Sequence, residues 1–196
     1  MGNAAKKITS VIVTILILGI IASLFYMDWS LKSNKKEEAN KQTLTEAEKL
    51  LARDLVTDYP ETPREVAKYY SNMTKALFSG LEDGEVEALA KKILELYDEE
   101  FRNNNPEEIY LKDLYSEIAA WNKAERKITS FLLVNEDMEE QWEADTREYA
   151  NVYVTYYTMG SMKASQTRNY LMRKSGDGKW KILGWEYVME NESLEE

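Results

Sequence analysis

The sequence contains no cysteine and no histidine. Without cysteine there is no disulfide framework, no thiol nucleophile and no lipid carried on a thiol. Without histidine there is no imidazole base, and the two absences together remove the His/Cys zinc sites. Glycine is sparse, and no Gly-rich phosphate loop or dinucleotide fingerprint occurs; Gly176 and Gly178 belong to a turn. The acidic run Asn135-Glu136-Asp137-Met138-Glu139-Glu140 lacks the alternating ligands and central glycine of a calcium loop, and reads as a solvated hairpin edge. No residue pattern calls for a cofactor or a metal.

Positive charge is scarce outside the N-terminal region. Residues 1–41 hold six lysines against three acidic residues, whereas the remainder holds 19 basic against 32 acidic side chains. Such an acidic body repels phosphate backbones, which argues against nucleic-acid binding.

Charge is missing altogether from residues 8–26 (ITSVIVTILILGIIASLFY). A helix of that length reaches roughly 28 Å, close to the hydrocarbon thickness of a bilayer. It exceeds the apolar core of a secretory signal, and its exit offers no small-x-small cleavage site. The expectation is an uncleaved single-pass anchor over 8–27, behind a short cytoplasmic tail at 1–7. Tyr26 and Trp29 suit the membrane interface. Lys6 and Lys7 touch the span, so the N-terminus is placed inside and the following domain outside, giving an extracytoplasmic location. Residues 28–44 are polar and lysine-rich without apolar rhythm, and read as a tether. An acidic tail follows at 190–196.

Between tether and tail, residues 45–189 read as one domain. A short helix is expected over 45–56. Thr62-Pro63-Arg64-Glu65 sets a hydroxyl cap, a proline at the first helical position and a glutamate at the third, and Asn105-Pro106-Glu107-Glu108 repeats the device. Apolar residues at three- and four-residue steps then predict three amphipathic helices. The first, 63–79, carries Val66, Tyr69, Tyr70, Met73, Ala76 and Leu77. The second, 84–102, carries Val86, Leu89, Ala90, Ile93, Leu96 and Tyr97. The third, 106–127, carries Ile109, Leu111, Leu114, Tyr115, Ile118 and Trp121. From 128 the pattern turns β-branched and aromatic. Strands are expected over 128–134, 148–159, 162–174 and 179–189, with turn signals at Asp145-Thr146, Gly160-Ser161 and Ser175-Gly176-Asp177-Gly178. The expected class is α+β: a transmembrane helix, then three main helices packed on a curved four-stranded antiparallel sheet.

Three helices followed by strands that end in Asp177-Gly178-Lys179-Trp180-Lys181-Ile182 resemble the nuclear transport factor 2-like cone fold. The whole layout resembles an uncharacterised family of short, single-span proteins of anaerobic Gram-positive bacteria. That resemblance rests on Tyr59-Pro60-Glu61-Thr62-Pro63-Arg64-Glu65-Val66, on Asn104-Asn105-Pro106-Glu107-Glu108 and on Trp180-Lys181-Ile182-Leu183-Gly184-Trp185. It implies architecture and address but no activity. The cone fold implies a cavity between the helices and the concave sheet face; its expected wall is Tyr69, Tyr70, Tyr115, Trp121 and Tyr156. Relatives such as ketosteroid isomerase set a buried acid in that cavity. Here Asp113 and Glu117 fall on the third helix and Arg168 on the third strand, yet none is flanked as an inward-facing catalytic group.

The second face of the sheet is more informative. A half-exposed sheet alternates apolar with charged residues, but here aromatics fall on both faces. Tyr153, Tyr157, Leu183, Trp185 and Tyr187 form a candidate partner face, with the proviso that a bulge at Gly184 shifts the register. The expected function is a membrane-tethered extracytoplasmic binding or assembly module without catalysis, joined to a protein partner or a second copy through that face. The alternatives are a component of a secretion- or conjugation-type machine and a small-ligand or lipid-binding cone.

Overall fold

The computed structural model describes residues 44–188. The chain divides into two units, Met1–Thr43 and Leu44–Glu196, and the described residues all belong to the second. Within them lie α1 (Glu46–Ala52), α2 (Pro63–Leu77), α3 (Asp83–Leu94), the six-residue α4 (Glu99–Asn104) and α5 (Glu107–Lys123). The strands are β1 (Lys127–Leu133), β2 (Gln141–Ala144), β3 (Arg147–Met159), β4 (Lys163–Lys174) and β5 (Trp180–Tyr187). They form one antiparallel sheet in the order β1-β3-β4-β5, and β2 pairs with β3 along the same edge as β1.

Two helix starts follow the local chemistry, whereas the expected Asn105 cap of α5 does not form: Pro106 takes the cap position without a side-chain bond, and Asn105 Nδ2 donates back to Phe101 O at 2.8 Å. At Thr45 and Thr62 the hydroxyl accepts from the third backbone N–H, while the third-position glutamate accepts from the cap's own N–H. Pro63 opens α2, where its missing N–H costs nothing. The helix α2 then crosses the sheet and buries Val66, Ala67, Tyr70, Met73 and Leu77. Against it stand Val152, Val154 and Tyr156 of β3, Tyr170 and Met172 of β4, and Trp180 and Ile182 of β5. These alternate with half-exposed residues along each strand, so the sheet has a buried inner face and an open outer one.

Several expectations are corrected. The domain is α+β, but the sheet has five strands rather than four. The fifth, β2, follows a single 3₁₀ turn at Glu136–Met138 and is exposed throughout, so no burial rhythm marks it. Asp145 and Thr146, both at positive φ, join β2 to β3 in a two-residue hairpin. Part of the acidic run is not a solvated edge: Glu139 pairs with Arg64, whose guanidinium also donates to the Val134 carbonyl at 2.8 Å. The helix expected over 84–102 breaks after Leu94. There Leu96–Asp98 turns out to extend the sheet, with Asp98 N–H donating to Ile182 O and Ile182 N–H to Leu96 O, both at 2.8 Å. A parallel bridge joins Tyr97 to Ile182. Asp98 then caps α4 and takes the Arg173 guanidinium at Oδ2, 3.0 Å from Nε.

The expectation of a single-pass membrane protein with an extracytoplasmic domain does not stand. Among the described residues no helix is long and apolar enough to cross a membrane. The proposed span 8–27, like the tail 1–7, most of the tether 28–44 and the acidic tail 190–196, lies outside those residues.

Candidate functional site

The inner face gathers a tyrosine cluster. Tyr70 comes from α2, Tyr97 from the sheet-extending segment, Tyr156 from β3 and Tyr170 from β4, and all four are buried. Ser71 Oγ lies 2.7 Å from Tyr156 OH, which lies 2.8 Å from Tyr170 OH. Tyr70 and Tyr97 hydroxyls sit 3.3 Å apart, and the Tyr70 ring meets Tyr170 edge-on at 5.3 Å. Burial is the main cause that pushes three of the phenols up: Tyr156 to about 12, Tyr97 and Tyr170 well above the ordinary value. They therefore keep their protons as hydrogen-bond donors at neutral pH.

Of the expected pocket wall, Tyr70 and Tyr156 meet here. Tyr69 does not: it turns toward α1, donates to Leu50 O at 2.5 Å and lies under Arg53. Tyr115 donates to Asp83 O at 3.2 Å, and Trp121 packs on Phe78 at 4.4 Å under Arg126. Both belong to the helix layer. Asp113 and Glu117 are exposed on α5. Tyr97 and Tyr170 were missed as members, although the alternation Arg168-x-Tyr170-x-Met172 placed Tyr170 on the inner face.

The outer face carries a second set. Strand alternation sets Tyr149, Asn151, Tyr153, Thr155, Tyr157 and Met159 of β3 outward, opposite Leu171, Asn169, Thr167 and Ser165 of β4 and Leu132 and Ser130 of β1. Trp142 of β2 stacks on Tyr149 with ring centroids 5.7 Å apart. Thr155 and Thr167 hydroxyls meet at 2.8 Å near the middle. None of these twelve strand positions is charged; Arg173, Lys163 and Glu186 stand at the ends and rim. Two shallow clefts of about 410 and 450 Å³ mark the face, the first beside Trp142 and Leu171, the second beside Tyr157 and Met159.

The expected partner face is divided. Tyr153 and Tyr157 lie on the outer face. Trp185 and Tyr187 do not, because the register shifts where Leu171 and Met172 pair with Gly184 and Ile182. That bulge leaves Leu183 unpaired and returns Trp185 to the inner side opposite Tyr170, where its ring meets Tyr97, Phe101 and Tyr170. Tyr187, paired with Arg168, lies 5.4 Å from that guanidinium. Trp142, Tyr149, Leu132 and Leu171 were missed; the period-two pattern of β3 carried the signal for Tyr149.

Among the described residues no group of three or more Asp or Glu side chains is placed to hold a metal ion. A family model described as a domain of unknown function (DUF6715) matches residues 1–185. No curated protein matches the chain.

Proposed function

The chain belongs to that family, and on the geometry of its described domain we propose that it works as a binding and assembly module without catalysis, joining a second copy of itself through the outer face of the sheet. The observation that carries this reading is an uncharged aromatic face on an acidic molecule. The described residues hold 28 acidic against 19 basic side chains. Two such bodies repel, and they meet at least cost where neither presents charge. A basic partner would instead seek acidic surface, which this face does not offer.

Size supports the same occupant. β3 runs 13 residues, about 40 Å at ~3.3 Å per residue, and four strand positions about 4.8 Å apart add about 15 Å. The footprint of roughly 600–700 Å² approaches the ~800 Å² per partner of a standard interface. Exposed Leu132, Trp142, Tyr157 and Met159 supply the aromatic and methionine content that interface cores favour. A catalytic reading finds less support. The inner phenols hydrogen-bond one another and stay protonated, and Asp113 and Glu117 face away from them.

The missing cysteines make the test clean. Single cysteines introduced into the full chain at Thr155 or Thr167 are expected to give disulfide-linked dimers on mild oxidation, because an isologous face brings a central residue close to its own copy. Lys123→Cys on the exposed side of α5 is the control. Sedimentation of the unmodified chain should show a dimer that tightens as salt screens the acidic bodies. A monomer at high concentration, or crosslinking equal to the control, overturns the proposal.

A further inference from the structure

Arg168 differs from the ion-paired arginines of the domain. It lies on the inner side of β4, half-buried, between the rings of Tyr156 and Tyr187 at 5.2 and 5.4 Å. Its Nε is shielded from solvent and donates to nothing. Among the described residues no carboxylate pairs with it, although acidic residues outnumber basic ones 28 to 19 there. Arg64, Arg53 and Arg173, by contrast, each hold a carboxylate. A guanidinium keeps its charge at any ordinary pH, and a shielded donor without an acceptor costs free energy. Cation–π contact with two rings offsets part of that cost but satisfies no N–H.

The surroundings name the chemistry. Ser71, Tyr156 and Tyr170 carry three hydroxyl hydrogens and share two hydrogen bonds, so one O–H of the chain remains to be donated. One spare hydroxyl donor thus lies in the layer whose Tyr156 ring packs on the Arg168 guanidinium. The walls are aromatic: Tyr156, Tyr187 and, next along β5, Trp185. Rings that flank the guanidinium leave its planar edge as the approach, which suits a flat carboxylate held by two parallel N–H donors better than a tetrahedral phosphate.

We propose that Arg168, with Tyr156 and Tyr187 as walls and the tyrosine hydroxyls as added donors, is a binding site for the carboxylate of a small aromatic acid. The site lies on the inner side of the sheet and does not depend on self-association through the outer face. Binding puts acceptor oxygens against Nε and the fork, and stacks the acid's ring among side chains already aromatic.

Benzoate is the probe, titrated into the full chain at low salt with calorimetry and thermal melting as readouts. Benzoate is expected to bind and to raise the melting temperature, as any ligand of the folded state does. Arg168→Gln should weaken binding tenfold or more, and Arg168→Lys, which keeps the charge but loses the fork, by less. Tyr187→Ala removes a wall whose own side chain is largely exposed, so the fold should survive while benzoate affinity falls several-fold. Absence of benzoate binding by the unaltered chain overturns the proposal, whatever the variants do. So does equal binding by Arg168→Gln, or inorganic phosphate binding as tightly as benzoate.

Discussion

Tyr156 and Tyr157 are neighbours in the chain and lie on opposite sides of β3. The first is 3% exposed and hydrogen-bonded to Ser71 and Tyr170; the second is 40% exposed on an uncharged surface. One residue type does two jobs. Inside, the phenol brings a large apolar ring and a hydroxyl that finds a partner, so the core tolerates it. Outside, the same ring leaves apolar area in water that only another surface can cover. The difference is set by alternation along one strand, not by composition.

The largest test of that difference is alkaline pH. Tyr156 and Tyr69 are pushed up to about 12, with burial the main cause, and Tyr97 and Tyr170 lie well above their ordinary value for the same reason. A phenol whose folded value exceeds its unfolded value of about 10 contributes stability that is whole below pH ~10. Above that the unfolded chain loses protons that the folded one keeps, so stability falls as pH rises from about 10 to about 12. For Tyr156 alone the two-unit rise amounts to about 3 kcal/mol. Circular dichroism should show cooperative unfolding in that window, with the buried phenols ionising at 295 nm only as the fold is lost. Smooth ionisation of every tyrosine without unfolding would show that the inner face is open to water.

How much of this was legible follows the range of each determinant. The cap at Thr62 needs four consecutive residues, and it appears where the sequence places it. The hairpin at Asp145-Thr146 is equally local. The break after Leu94 was not legible, because helical periodicity runs on through Leu96 and Tyr97; only the β5 backbone, some 85 residues on, draws that segment into the sheet. β2 was missed for the opposite reason, having four exposed residues and no pattern of burial. The bulge beside Gly184 decided the fate of Trp185 and Tyr187, which alternation alone assigned to the wrong face. Tyr70 and Tyr156 were found because helix and strand periods both point inward at those positions. Tyr97 was read on the apolar stripe of a helix, and its place in the tyrosine cluster depends on that same long-range pairing.

A smaller effect sharpens the contrast within the sheet. Ile182 on the inner face is fully buried, and Ile182→Ala is expected to cost about 2–5 kcal/mol through lost burial and the cavity left behind. Leu171 on the outer face is only half-buried, and Leu171→Ala should cost less than about 1 kcal/mol when the chain is monomeric. Urea titrations of the two variants measure this. Equal losses would mean that the outer face is covered within a single chain.

The smallest effect on folding carries the most information about assembly. Tyr157→Ser removes an exposed ring from the uncharged face, and at concentrations where the chain is monomeric it should shift unfolding by no more than about 0.5 kcal/mol. Self-association couples stability to concentration, because only folded copies pair. The melting temperature of the unaltered chain should therefore climb with protein concentration, and that of Tyr157→Ser should stay flat. The two readouts separate the roles that Tyr156 and Tyr157 divide between them. A variant that loses stability at every concentration has damaged the inner packing. One that loses only the concentration dependence has removed a contact made between molecules. If the unaltered chain shows no such dependence, the outer rings serve the single domain alone, and the two faces differ in exposure without differing in purpose.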